Sequence, residues 1–262
     1  MTDVLQPDTG PPLAPADVPE SAPAPTGYLR RVFRATEEAN RHAVLAALPA
    51  GRGGHLLDIG THDGTFTERI VERVRPDQVT GVEVMPVHAQ RARSRGLDIV
   101  EADVEDGLPF PAGRFDVITA NQVIEHVRRT DVLLAEVRRV LAPGGVACIS
   151  TNNLCSWHNV VSLALGLQPP PVHVSDEVIV GNPLNPEDGW PHEDWGRSHV
   201  RLFSGRALSE LGAHHGLALE RMTPVGYYPL PPRVARAVAR VDSDHCAFVV
   251  ATFVQGTGGA GA

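Results

Sequence analysis

Short apolar runs alternate with stretches of helical periodicity along most of this chain. Leu29, Val32, Phe33, Ala39, Ala43 and Ala47 fall mostly at helical spacing among Arg30, Arg31, Glu37 and Arg41, so a helix is expected over residues 28–48. Pro49 and the glycines Gly51, Gly53 and Gly54 end it. Strands are expected over residues 55–59, 79–84, 97–101, 115–120 and 146–150, with helices over 64–73 and 86–95 and a further one capped by Thr130 or Asp131. Pro86 suits a first helical position, Gly96 a helix end, and Pro143-Gly144-Gly145 a turn into the fifth strand. Strands and helices alternating at this spacing imply an α/β fold with a mainly parallel sheet, helices on both faces and right-handed crossovers.

The pattern loosens beyond Thr151. Residues 154–167 read as a helix, but 168–197 are proline-rich and irregular, with His173, Trp190, His192 and Trp195. Loops of this length in a compact domain commonly serve as lids or binding loops, and residues 154–203 are expected to form a lid over an acceptor site. Ser204 caps a helix through Leu208 and Leu211 that ends near Gly216. Two last strands are expected over 217–222 and 245–253, with Val234, Val238 and Val241 on a short arginine-bearing helix between them. Residues 1–25, rich in Pro, Ala and Asp, hold too little apolar surface to offset the entropy of ordering, and 256–262 are glycine-rich. Both ends are expected to be disordered tails around one domain over 26–255.

At 262 residues, 42% hydrophobic and 21% charged, the chain can bury one sizeable core. It has neither a membrane-length apolar run nor a basic region followed by a hydrophobic one at the N-terminus, so a cytoplasmic protein without a membrane association is expected. Cys148, Cys155 and Cys246 lack Cys-x-x-Cys spacing and read as free thiols. A net charge of −8 argues against nucleic acid as a partner and suits a small molecule.

Four polar stations follow successive strands. Asp58-Ile59-Gly60-Thr61-His62-Asp63-Gly64 follows the first, Glu83 ends the second, Asp103 follows the third, and Asn121-Gln122 follow the fourth. Glycines after a buried strand mark a place where backbone comes close to a ligand, and in α/β sheets ligands lie beyond the carboxyl ends of the strands. A carboxylate such as Glu83 can accept two hydrogen bonds from a ribose diol, and an acid such as Asp103 one from an adenine amine, which together describe a nucleoside site. A dinucleotide would require G-x-G-x-x-G, but His62 stands at the second glycine position and no glycine follows three residues later.

The motifs Leu57-Asp58-Ile59-Gly60-Thr61-His62-Asp63-Gly64, Val82-Glu83-Val84, Glu101-Ala102-Asp103, Phe115-Asp116-Val117-Ile118, Val123-Ile124-Glu125-His126-Val127 and Leu141-Ala142-Pro143-Gly144-Gly145 occur in that order. In them the chain resembles the class I S-adenosylmethionine-dependent methyltransferases, in particular the small-molecule group that includes the ubiquinone-biosynthesis type. The resemblance implies a three-layer, Rossmann-like sandwich with seven strands, the last antiparallel, and S-adenosylmethionine across the first four strand ends. It further implies that Gly60, Thr61 and Gly64 let backbone approach the methionine part with Asp58 beneath it, and that Glu83 holds the ribose. By the same resemblance Asp103 meets the adenine amine, Val84, Met85 and Val104 face the adenine ring, and Asn121 and Gln122 line the sulfonium end. His62 departs from the family, which has glycine there, and a positive φ at this position would strain it.

For the acceptor, a hydroxyl oxygen of a small molecule is the expected nucleophile, with nitrogen or carbon, or a non-catalytic adenosylmethionine-binding module, as the alternatives; His126 and His199 are candidates for the base, and each could instead make a structural hydrogen bond. Trp190, Trp195, Arg201 and the pair Tyr227-Tyr228 are candidate acceptor-pocket residues, which could instead fill space or pair with neighbouring acids. Some relatives hold a divalent cation through Glu-x-x-Glu-His and a later histidine. Here Gln122 replaces the first glutamate, so no metal is expected.

Overall fold

The computed structural model describes residues 27–175, 177–185 and 199–256. The two tails, apart from Gly256, lie outside the described residues, as do Trp190 and Trp195. Gly256 itself is bound, its N–H donating to Gly216 O at 2.8 Å.

Seven strands form one sheet: β1 (His55–Ile59), β2 (Gln78–Glu83), β3 (Ile99–Glu101), β4 (Phe115–Asn121), β5 (Leu141–Asn152), β6 (Leu217–Val225) and β7 (Phe248–Gln255). Their order is β3-β2-β1-β4-β5-β7-β6, with β7 antiparallel to both of its neighbours and the other pairs parallel. The helices are α1 (Tyr28–Ala47), α2 (Thr65–Val74), α3 (Pro86–Ser94), α4 (Thr130–Val140), α5 (Trp157–Ala164), α6 (Gly205–His214) and α7 (Pro232–Val238). Strand side chains alternate between two cores. Leu56 and Val117 pack with Val44 of α1 and Ile70 of α2, whereas Leu57 and Ile118 pack with Leu133 of α4 and Leu208 of α6. Burial on both faces is why the strands read as apolar runs rather than as alternating ones. The architecture is the expected three-layer sandwich.

Register makes the strand ends level. Ile59 pairs with Val82 on one side and Ala120 on the other, so Gly60, Glu83 and Asn121 stand side by side at one edge. Several boundaries differ from expectation for local reasons. Strand β5 starts at Leu141, which pairs with Phe115 ahead of a register shift that accommodates the Pro143-Gly144-Gly145 turn. Helix α5 starts late because Leu154 N donates to Phe203 O at 2.9 Å, committing that residue to the returning chain. Strand β7 starts late because Cys246 O and His245 O accept bonds from Asn153 and Trp157. Neither Thr130 nor Asp131 caps α4. Arg129 occupies that position, and the Glu105 carboxylate accepts from the N–H groups of Arg128 and Arg129 at 3.3 and 3.2 Å. The three cysteines are free thiols, and burial pushes Cys148 up to about 12 and Cys246 up to about 11. Among the described residues no helix is long and apolar enough to cross a membrane.

Ser204 does cap α6, its Oγ accepting from Ala207 N at 3.1 Å. Ser204→Ala is expected to lower unfolding free energy by about 1 kcal/mol in urea titrations, whereas Ser204→Asp, which keeps an acceptor there, should hold stability within a few tenths of a kcal/mol.

Candidate functional site

The turn from β1 into α2 is built on left-handed backbone at Gly60 (φ +75°), His62 (φ +50°) and Gly64 (φ +83°). A Cβ on Gly60 would fall 2.6 Å from Val123 Cγ2, and one on Gly64 2.7 Å from Leu97 Cδ1, so glycine is required at both for space as well as for φ. His62 does adopt the positive φ that the sequence made a concern. Its N–H donates to Glu83 Oε2 at 2.8 Å, and its ring packs against that of buried His88 at a tilt of 31°, with centroids 3.8 Å apart. The other Glu83 oxygen accepts from Met85 N at 2.9 Å. One carboxylate thus joins the loops after β1 and β2.

Asp58 is buried on the α2 side of the sheet, accepting from Thr67 Oγ1 at 2.6 Å and Thr119 Oγ1 at 2.5 Å. Burial outweighs these two bonds and pushes its carboxyl up to about 6. Asp103 starts a 3₁₀ turn, Val104–Asp106, and accepts from Glu105 N at 3.0 Å. At the end of β4, hydrogen bonds run head to tail. Asn152 donates to Gln122 (3.2 Å), Gln122 to Ser150 (3.0 Å), Ser150 to Asn40 (3.0 Å), and Asn40 to Asn121 (3.0 Å). Gln122, at φ +56°, is thereby fixed from both ends of its amide.

Beyond this, a 3₁₀ turn over Ile124–His126 carries Glu125 and His126. Glu125 is fully buried and accepts from Thr151 Oγ1 at 2.9 Å and Asn152 Nδ2 at 3.4 Å; burial pushes its carboxyl up to about 7. Its carbonyl accepts from Val200 N at 2.8 Å and Arg201 N at 3.2 Å, which sets the returning segment on this turn. That brings the His199 ring to 4.7 Å from the His126 ring, and the His199 ring also stacks on that of His173 at 4.6 Å.

These groups open into a single cavity of about 830 Å³. Asp58, Gly60, Thr61, Glu83, Val84 and Met85 line it, as do Asp103, Val104, Asn121, Gln122, His126 and His199; Gly64 stands behind it as the cap of α2. Two expected acceptor residues are elsewhere. Tyr227 is buried with its hydroxyl donating to Asp242 O, and its neighbour Tyr228 lines the cavity instead. Arg201 is exposed, its guanidinium donating to Arg128 O at 2.8 and 3.2 Å.

One wall of the cavity lies beyond the residues expected from sequence. Phe33, Thr36, Glu37 and Asn40 of α1 face the cavity, together with His88, His158 and His173. The signal was present, since those four α1 positions follow the i, i+3, i+4, i+7 spacing of one helix face and buried Thr36 and Asn40 interrupt its apolar stripe. Burial lowers His158 to about 4, which favours its neutral form, and burial holds Glu37 above its ordinary value against the opposing pull of Arg41 and Arg34.

A sheet of this order with an acid at the end of β2, a glycine turn after β1 and a deep cavity across the strand ends defines a nucleoside-binding α/β protein. A family profile described as a methyltransferase domain matches residues 28–221, and the chain belongs to that family, the class I methyltransferases whose cofactor is S-adenosylmethionine. Among curated relatives, it is 41% identical over 116 residues to the ubiquinone/menaquinone biosynthesis C-methyltransferase of Rhizobium meliloti, covering 40% of this chain and 45% of that protein. It is 31% identical over 123 residues to the trans-aconitate 2-methyltransferase of Paracidovorax citrulli, covering 46% and 47%. The chain therefore spans about half the length of these relatives. A structure of a possible histamine N-methyltransferase from Thermotoga maritima shares the fold with a TM-score of 0.56 at 20% identity, covering 86% of this chain and 91% of that one.

Asp58 supplies a pH test. With its folded value raised to about 6 from 3.8, its contribution to stability is fully present below about pH 4 and is lost as pH rises through about 6. Asp58→Asn removes that loss. The stability of the variant relative to wild type should rise by up to about 3 kcal/mol between pH 4 and pH 8 in urea titrations; a constant difference across that range would contradict the buried, raised carboxyl.

Proposed function

We propose that this chain transfers the methyl group of S-adenosylmethionine to a hydroxyl oxygen of a small molecule by in-line displacement. The observation that carries this reading is the single cavity running from Glu83 and Asp103 at one end to His126 and His199 at the other. Its volume, about 830 Å³, is in the upper range for small-molecule sites, which favours a cofactor and an acceptor held together over a cofactor alone. That also weighs against a non-catalytic binding module.

In this reading the ribose diol donates to Glu83, whose oxygens keep lone pairs beyond those used by His62 N and Met85 N. Val84, Met85 and Val104 sandwich the adenine, and Asp103 accepts from its amine. The sulfonium faces Asn121 and Gln122, so the methyl group points toward the histidine pair. There the acceptor oxygen needs alignment with the carbon–sulfur bond and help in losing its proton. The C-methyltransferase relative makes carbon the rival nucleophile, and transfer to carbon would also need a proton removed. The part of the expected lid that faces the cavity, Pro170, Pro171, His173 and Ile179, would enclose the acceptor.

Calorimetry should give micromolar binding of S-adenosylmethionine, weakened about tenfold or more by Glu83→Ala, as expected for losing charge-assisted hydrogen bonds. Unchanged affinity would remove Glu83 from the site. With methyl-labelled cofactor and metabolite extracts, mass spectrometry should find a labelled O-methyl product. His199→Ala should cut its formation about 100-fold with cofactor affinity retained, and full turnover at pH 7 would exclude His199 from the chemistry.

A further inference from the structure

Resting on the proposed transfer to oxygen, we infer that Glu37 binds an ammonium group of the acceptor, so that the substrate is a hydroxylated amine anchored by its nitrogen and methylated on its oxygen. Among the described residues five acids line the cavity: Glu37, Asp58, Asp63, Glu83 and Asp103. Four of them have donors of their own. Asp58 accepts from the hydroxyls of Thr67 and Thr119, Asp63 from the N–H and hydroxyl of Thr65, Glu83 from His62 N and Met85 N, and Asp103 from Glu105 N. Glu37 has no such donor among the described residues. Arg41 and Arg34 act on it through space without pairing with it, since Arg41 donates to Glu38 Oε2 at 3.4 Å and Arg34 is exposed.

A carboxylate withdrawn from water without a partner is costly, and burial holds this carboxyl above its ordinary value in spite of both arginines. A cation entering the cavity supplies the missing partner and brings the group back to its charged form. A neutral apolar molecule leaves the carboxyl unpaired, and an anion is repelled by it once it is charged.

The course of α1 sets Glu37 on the acceptor side. Val44 packs with Leu56 and Val117 in the core, and Asn40 is bonded to Asn121 and Ser150 at the strand ends. Toward its N-terminus the helix therefore rises past the strand ends, and at 1.5 Å per residue Glu37 stands about 4.5 Å and Phe33 about 10 Å beyond Asn40. The proposed sulfonium position is at Asn121, so Glu37 overhangs the space next to it. Phe33, on the same face of the helix, meets Tyr228 edge-on with centroids 6.1 Å apart, and His158 meets Tyr228 at 5.6 Å. Burial keeps His158 neutral, so this wall adds no positive charge to compete for Glu37. Aromatic rings next to one carboxylate suit an organic ammonium ion, whose carbon skeleton packs on the rings while its charge meets the acid. A protonated nitrogen has no lone pair and cannot be the nucleophile. The anchored amine thus leaves the hydroxyl, at the other end of the molecule, to face the methyl group, and no bond to Glu37 forms or breaks.

Two matched pairs of probes test the anchor without turnover. The full-length chain, saturated with S-adenosylhomocysteine, is titrated by calorimetry with tyramine and its neutral isostere 4-propylphenol, and with 5-aminopentan-1-ol and its isostere 1-hexanol. In at least one pair the amine should bind about tenfold or more tightly than the isostere, and the near-isosteric Glu37→Gln should bring the two within about twofold while leaving the isostere unchanged. Retained S-adenosylmethionine affinity in the variant shows that it is folded. With methyl-labelled cofactor and metabolite extracts, the labelled product should be held by a cation exchanger at pH 7. No amine preference in either pair, or a preference that survives Glu37→Gln, overturns the anchor. Weakened S-adenosylmethionine binding in Glu37→Gln, with an unchanged far-ultraviolet circular dichroism spectrum, assigns the carboxylate to the ammonium of the cofactor and overturns it as well. A labelled product that is neutral or anionic leaves methyl transfer standing and removes the amine. An amine preference abolished by Glu37→Gln in a chain that binds no S-adenosylmethionine leaves the amine site standing and removes the methyl-transfer reading.

Discussion

The carboxylate of Glu83 accepts one main-chain N–H from the loop after β1 and another from the loop after β2. A left-handed φ costs a residue such as His62 about 1–2 kcal/mol. A hydrogen bond to a charged group contributes about 1.5–3 kcal/mol, so the bond to Glu83 Oε2 is large enough to hold His62 in that conformation. Ring contact with His88 adds to it. The glycine expected by family resemblance is thus replaced by a residue whose strain is offset locally, and the path of the loop, from Gly60 through Gly64, depends on an acid two strand-ends of chemistry would otherwise assign to a ligand alone.

The polar interior continues this theme. Asp58 and Glu125 are both buried among neutral donors and both shifted upward by burial. Between them, the amide chain from Asn152 to Asn121 crosses from β5 through Gln122 to α1 and back to β4. Fully satisfied networks of this kind favour one arrangement of the groups they join, because any slip leaves a buried amide unpaired. Here the groups joined are those that surround the middle of the cavity.

The part of the cavity at the ends of β1 to β4 was legible from sequence because it is periodic. Strands end where acids and amides appear, and parallel register brings those ends level, so the order of Asp58, Glu83, Asp103 and Asn121 already implied that they line one cavity. The acceptor half was not, for physical reasons. Tyr227 and Tyr228 lie outside regular strand, where no alternation decides which ring goes to the core. Arg201 is turned away because its backbone is committed to Glu125 and its side chain to Arg128. Helix α1 read as an ordinary amphipathic helix because half of its inward face packs in the core at Val44 while the other half meets the cavity. His126 and His199, 73 residues apart in sequence, were both expected near this end, and the bonds from Val200 N and Arg201 N to Glu125 O that bring them together leave no side-chain signature.

The position of α1 has an evolutionary consequence. The loops at the strand ends are constrained by register, by glycine φ and by the Glu83 bonds, so few substitutions there are tolerated. The Phe33, Thr36 and Glu37 side chains, in contrast, project from one helix that precedes the sheet, and altering them leaves the strand pairing untouched. One wall of the cavity and the strand scaffold are therefore carried on separable parts of the polypeptide, so that the shape of the cavity can change on one helical face while the pairing of the strands is kept.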